Sequence, residues 1–276
     1  MPDAAFSIAS SENLDLFRRQ ILEWYDVHKR DLPWRGETDP YRILVSEVML
    51  QQTGVERVRA KYLEFIARFP SIRQLAEAST ADVVRAWQGL GYNRRALNLK
   101  RTAEIVCRDH GGRLPDSTSE LERLPGIGRY TSRAVACFAF GMQVEVVDTN
   151  VRRILSMVAG RPLNTRETED LARALLPPGR AADWNQALMD YGALVYRAKP
   201  ARTGKKPEPF ASTNRFWRGR IVDTLRGHDT LSLTELLHML AYPNRDEQRV
   251  RTLVHALHEE GMVVYDVSED RVSLPH

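Results

Sequence analysis

Cysteine is nearly missing from this chain: only Cys107 and Cys137 occur in 276 residues. Two thiols cannot build a disulfide framework, and no Cys/His spacing suggests a metal site. Both lie in apolar, helix-patterned surroundings and read as small core hydrophobes. Long apolar runs are missing too, with no uninterrupted stretch of the length a membrane helix needs. The N-terminus lacks a basic start followed by an apolar segment, so no secretory signal is expected. Charge of one sign is scarce: the net charge is +4 and the pI near 9.1. That balance suits nucleic acid, and equally suits basic proteins that bind none. No β pattern stands out in the first 200 residues. These absences predict a soluble, cytoplasmic protein (nucleoid-associated if bacterial) with one large domain or two smaller ones.

What the chain does have is helical periodicity. Leu14, Phe17, Ile21, Leu22, Trp24 and Tyr25 form one stripe before the break at Asp31-Leu32-Pro33-Trp34-Arg35. Asp39-Pro40 opens a second helix, YRILVSEVMLQQ, ended by Gly54. Further amphipathic pieces follow over 56–69, 71–78, 81–88 and 96–109, and a Ser117-x-x-Glu120 capping box is expected before 118–123. Helices are expected over 149–159, 166–176 and 184–196. Residues 197–209, RAKPARTGKKPEP, read as a basic linker or a DNA-contacting loop. Beyond it, helices over 216–225, 232–240 and 246–259 precede two short strands around Ser268-Glu269-Asp270. Three helices and a β-hairpin predict a winged-helix-like module, a type that serves DNA or protein contacts alike. The expected division is therefore 1–200, a linker at 201–213, and 214–276.

The most informative stretch is Leu121–Ile154. Its turn, LPGIGRYT from Leu124 to Thr131, places Gly126 and Gly128 around one apolar residue. Glycines permit a tight turn and bare backbone N–H groups, which at a helix start can seat a DNA phosphate. Asp148 follows as the first residue of a new helix; it reads as a helix cap or as an acid held beside a phosphate clamp. Glu47 lies amid Ile43, Leu44, Val45, Val48, Met49 and Leu50. Either it occupies the wet face of its helix, or it is buried, where low dielectric raises its pKa and suits it to hold a proton near neutral pH.

Five ordered motifs, LPWRGETDPYRILVSEVMLQQTGV, GLGYNRRALN, LPGIGRYTSRAVACFAFG, VVDTNVRRIL and WNQALMDYGAL, together resemble the helix-hairpin-helix DNA glycosylases. Among these the chain is most like the adenine DNA glycosylases of the MutY type, over about residues 15–200. The resemblance implies an all-α fold of two helical lobes, with a cleft that receives a flipped nucleotide. Flipping is required because the glycosidic bond cannot be reached inside the stack. By motif position, Glu47 would protonate the leaving base and Asp148 would stabilise the cationic sugar, the division of labour known from glycoside hydrolysis. Tyr130 stands where endonuclease III-type relatives carry the Lys of a lyase; a phenol forms no Schiff base, so a monofunctional glycosylase is expected. Trp34, Arg35, Leu50 and Gln186 would line the base pocket. The Gln186 amide offers donor and acceptor together to adenine's edge. Gln51 and Tyr92 would wedge into the stack, and Gln52, Thr53, Leu124, Gly126, Gly128, Arg129 and Thr131 would contact DNA. The implied partner is double-stranded DNA with a mispair or lesion, met by a monomer.

Two departures qualify the resemblance. The family's 4Fe-4S cluster uses four spaced cysteines, and in this register those places hold Tyr196, Thr203, Lys206 and Ser212. None supplies a thiolate, so no cluster and no cofactor is expected. The 63 residues from Asn214 onward are also too short for the Nudix-like domain that reads 8-oxoguanine in such enzymes. The expected activity is release of adenine opposite 8-oxoguanine or G. A thymine/uracil mismatch glycosylase of the same fold is the alternative, and a non-catalytic helix-hairpin-helix and winged-helix DNA-binding protein is a third.

Overall fold

The structure is a computed structural model that describes residues 11–196, 209–240 and 247–276. Helices in chain order are α1 (Ser11–His28), α2 (Pro40–Leu50), α3 (Val55–Arg68), α4 (Ile72–Glu77), α5 (Thr80–Ala86), α6 (Arg94–Asp109) and α7 (Thr118–Leu121). They continue as α8 (Arg129–Phe140), α9 (Thr149–Val158), α10 (Thr165–Ala174), α11 (Ala181–Leu194), α12 (Asn214–Leu225), α13 (Leu233–Leu240) and α14 (Glu247–Glu259). Strands β1 (Leu231–Ser232), β2 (Val264–Asp266) and β3 (Arg271–Ser273) form one small antiparallel sheet in the order β1-β3-β2. The fold is thus mostly helical, as the periodicity predicts, and among the described residues strands occur only near the C-terminus.

Side-chain caps mark several of the starts. Ser71, Ser79, Asp148, Asn164 and Thr213 each accept a backbone N–H of the helix that follows. A full capping box forms at Asn164 and Glu167. The one expected at Ser117 does not: that hydroxyl makes no cap bond and lies 2.7 Å from Ser119 Oγ, ahead of a helix of only four residues.

The chain divides into two compact units, each discontinuous in sequence. One takes the described residues up to Glu47 and those of 114–196. Its core joins α1 to α8, α9, α10 and α11 through Phe17, Ile21, Cys137, Val151, Ile154, Leu155 and Trp184, with Phe17 edge-on to Trp184 at 5.8 Å. The other takes 48–113 together with the C-terminal described residues.

That second unit cuts across the expected division at residue 200. Order within 214–276 is helix, strand, helix, helix, strand, strand, the winged-helix arrangement with one strand, β1, that two-residue periodicity is too short to reveal. Its apolar faces share a core with α5 and α6: Ala81, Val84 and Leu97 pack with Trp217, Ile221, Leu225, Leu236, Val254 and Val272. The carbonyl of Pro275 accepts the N–H of Ala81 at 2.7 Å, and Arg226 Nε donates to Val84 O at 3.0 Å. Periodicity shows which face of a helix is apolar but not which distant segment covers it. Residues 201–208 of the expected linker lie outside the described residues; Phe210–Ser212 makes a short 3-10 turn. No described helix is long and apolar enough to cross a membrane.

Leu225 is fully buried in the shared core. Leu225→Ala is expected to cost about 2–5 kcal/mol. Hydrogen exchange should speed up in α5 and α6 as well as in α12–α14; an increase confined to 214–276 would contradict the shared core.

Candidate active site

Glu47 does not lie on a wet face. It is 6% exposed, among Ile43, Leu44 and Val48, with the Tyr130 hydroxyl hydrogen-bonded to its carboxyl. Its Oε2 has no hydrogen-bond partner. Burial pushes its pKa up from 4.5 to about 7, against the opposing Tyr130 hydrogen bond and Arg35 charge and with a small push from Asp148. Tyr130, the second residue of α8, is itself pushed well above a phenol's ordinary pKa by burial and by the Glu47 and Asp148 charges. It stays a neutral donor.

Arg35 reaches this group from the turn after α1. Its Nη2 lies 2.8 Å from Asp190 Oδ1, and Arg30 meets the same carboxylate through Nη2 at 2.6 Å and through its backbone N–H at 3.0 Å. Asp190, on α11, is wholly buried. A buried carboxylate is tolerable only when paired and hydrogen-bonded, and two guanidinium groups supply both. Trp34, beside Arg35 in this turn, is 8% exposed. Gln186, one turn before Asp190, accepts the Tyr25 hydroxyl on Oε1 at 2.7 Å. That bond occupies one of the two lone pairs of its amide oxygen.

Asp148 is partly exposed and caps α9. Its Oδ1 accepts the N–H of Val151 at 2.7 Å and its Oδ2 accepts Asn150 Nδ2 at 2.8 Å. The helix start thus holds the acid in one orientation, and the helix dipole favours its charge. Asn150 is held in turn by α11: a Cβ at Gly192 would lie 2.7 Å from Asn150 Cβ, so only glycine admits this approach. Arg153 Nη1 donates to Gly192 O at 3.2 Å and braces the same junction.

The hairpin before α8 has the expected form. Gly126 takes φ +75°, and Gly128 precedes α8 with no side-chain cap on the helix start. Leu124 and Thr131 are buried, at 5% and 2% exposure, so any DNA contact of theirs is through backbone. Arg129 is exposed and paired with Glu169 at 2.5 Å.

The other expected residues belong to the second unit. Leu50 ends α2, and Gln51, Gln52 and Thr53 form the turn after it. Gln52 and Tyr92 have left-handed backbones, φ +58° and +46°, which is uncommon for such side chains and recurs at functional turns. Both turns are tied by one buried residue, Arg95. Its guanidinium donates to Val48 O, Met49 O, Thr53 Oγ1 and Gly91 O at 2.7–3.0 Å, satisfying the last carbonyls of α2. Burial without a carboxylate lowers its pKa to about 10.

Asp190, Arg30, Tyr25, Asn150 and Arg95 are the residues that sequence reasoning missed. Asp190 carried the same signal as Glu47, an acid inside the apolar run ALMDYGALV. Tyr25 counted only as one position of an apolar stripe, and nothing local distinguished Arg95 from its neighbour Arg94.

The donor set for a 4Fe-4S cluster does not fit. Tyr196 and Ser212 carry no thiol, and Thr203 and Lys206 lie outside the described residues. Cys137 is buried, with its thiol pushed up to about 11, and Cys107 is half-buried on α6 in the other unit. Among the described residues no three His, Cys, Asp or Glu side chains gather in a metal-like group.

This chain belongs to the HhH-GPD superfamily of base excision DNA repair proteins, whose family model matches residues 45–178. Within it, the chain is 39% identical over 284 residues to the adenine DNA glycosylase of Mycobacterium tuberculosis (strain ATCC 25618 / H37Rv), with 92% of each chain covered. It is 41% identical over 194 residues to the adenine DNA glycosylase of Homo sapiens, spanning 65% of this chain and 36% of that one. A thymine/uracil-DNA glycosylase of Methanothermobacter thermautotrophicus is 32% identical over 193 residues, covering 68% and 87%. Among solved structures, a thermostable thymine-DNA glycosylase superposes with a TM-score of 0.64 at 31% identity, covering 70% of this chain and 91% of that one. A non-covalent endonuclease III-DNA complex shares the fold at a TM-score of 0.62 and 19% identity, covering 72% and 94%.

Two stability measurements test this geometry. Because the folded pKa of Glu47 is raised to about 7, the folded state keeps a proton that the unfolded chain releases above about 4.5. Wild type should therefore lose stability relative to Glu47→Gln as pH rises through that window, by up to about 3 kcal/mol, and the gap should level off above pH 7. Urea unfolding across the pH range reads this, and a pH-independent gap would contradict it. Asp190→Ala, which removes the buried carboxylate that the partly exposed Arg30 and Arg35 share, is expected to cost about 3 kcal/mol in the same assay.

Proposed function

We propose that this protein is a monofunctional DNA glycosylase that releases adenine mispaired with 8-oxoguanine or G and leaves an abasic site. The observation that carries this reading is Glu47: a buried acid with one oxygen unpartnered, protonated near neutral pH, hydrogen-bonded by Tyr130 and in the same unit as Asp148. The identity to adenine DNA glycosylases across most of the chain supports the choice of base.

The steps follow from the residues. Glu47 Oε2 gives its proton to a ring nitrogen of the extruded base, because an anionic purine leaves poorly. The C–N glycosidic bond then breaks, with its electron pair going to the base. Asp148 stabilises the positive charge left on the sugar. Water adds to that carbon, and the Glu47 carboxylate takes up the proton that water loses, which restores the acid. The Gln186 amide meets the base edge, while Trp34 and Arg35 line the pocket on the same unit. Backbone N–H groups of the 124–131 hairpin seat a phosphate, and Gln51, Gln52, Thr53 and Tyr92 meet the duplex. The protein acts as a monomer in the cytoplasm, associated with the nucleoid if bacterial, without a cofactor.

Removal of thymine or uracil opposite G is the second reading, favoured by the likeness to thymine and thymine/uracil glycosylases. A purely DNA-binding role gives no reason to bury beside Tyr130 a carboxylic acid with one oxygen unpartnered.

Base release from A:8-oxoG, A:G, T:G and U:G duplexes separates these readings. Adenine should be released and pyrimidines retained; release from T:G and U:G alone would replace the proposal with the second reading. In single turnover, Glu47→Gln should lose at least about 100-fold in rate. The wild-type rate should fall as pH rises through about 7, following the raised pKa of Glu47. Borohydride should trap no covalent DNA adduct.

A further inference from the structure

Tyr92 is held in an unfavourable left-handed backbone, yet its ring is 39% exposed, so burial does not explain the conformation. The C-terminal segment meets it. The Arg215 guanidinium lies over the Tyr92 ring at 3.8 Å from its centroid, and 5.5 Å from the ring of Phe210. Phe210 is 57% exposed and packs edge-on against Phe216 at 5.5 Å; Phe216 in turn meets the core residue Trp217. Arg249 fixes the start of α12 by donating to Ser212 O at 3.1 Å and to Asn214 Oδ1 at 2.8 Å. Arg215 is exposed, and among the described residues no carboxylate pairs with it.

A guanidinium stacked between two exposed aromatic rings combines the two elements that nucleic acid uses: a planar face for bases and a positive charge for phosphate. We propose that Phe210 and Arg215 of the C-terminal segment join Tyr92 in one DNA-contacting surface, with Arg215 bracing the Tyr92 ring and pairing with a backbone phosphate of the duplex beside it. The inference rests on the reading that Tyr92 faces DNA. It assigns the C-terminal segment to DNA rather than to a protein partner.

The test is affinity for a duplex carrying a tetrahydrofuran abasic analogue opposite G, measured by fluorescence anisotropy over a range of salt. Arg215→Ala should weaken binding about 10-fold and lower the salt slope by about 1. Arg215→Lys should keep the slope but recover only part of the affinity, because an ammonium pairs with phosphate and stacks poorly. Phe210→Ala should weaken binding with the slope unchanged. Arg108→Ala, at an exposed arginine paired with Asp109, should match wild type. Wild-type affinity and slope in both Arg215→Ala and Phe210→Ala would overturn the proposal; so would an equal loss in Arg108→Ala. An affinity loss in Arg215→Ala without a change of slope would overturn the phosphate contact. If wild type itself neither binds the duplex nor releases a base, the glycosylase reading fails instead.

Discussion

A wholly buried carboxylate, Asp190, sets the geometry on which the proposed acid chemistry rests. It must be paired, and among the described residues the charges that reach it come from the turn after α1, so Arg30 and Arg35 are drawn onto α11. The turn also carries Trp34, and α11 also carries Gln186, so one ion-paired group aligns the proposed pocket. The pairing has an electrostatic effect as well. Arg35 lies close enough to lower the pKa of Glu47, but its charge is already engaged by Asp190. Burial of Glu47 therefore prevails, and the acid holds its proton near neutral pH.

Much of this was legible in the sequence because it is local. An acid in an apolar helix, a glycine-flanked turn before a helix, and an aspartate opening the next helix are patterns of a few residues each, and Glu47, Gly126, Gly128 and Asp148 occupy the expected local structures. What was not legible depends on which distant segments meet. Arg95 looks like any surface arginine until its carbonyl partners at 48, 49 and 91 are known. The grouping of 214–276 with 48–113 is of the same kind: the leucine stripe of α13 was visible, but its neighbours on α5 and α6 were not. The Ser117 capping box failed for a local reason, since a four-residue helix leaves the serine free to bond Ser119 instead.

The second unit shows how backbone strain is held in place. Gln52 and Tyr92 adopt conformations that an isolated chain would avoid, at a cost of roughly 1–3 kcal/mol each. Arg95 fixes both turns from below through carbonyl groups, which no change of pH in the physiological range can undo, since a guanidinium with a pKa near 10 remains charged there. The two turns are thus set before any ligand arrives, and ordering them adds little to the cost of binding.

Gly192 has no side chain to offer a substrate, yet it settles where Asn150 stands and, through Asn150, where the Asp148 carboxylate points. Sequence comparison alone would file such a position under helix packing. In a complete survey of substitutions it would instead resemble the acids themselves, because the proposed reacting centre is shaped by the absence of one methyl group on the helix behind it.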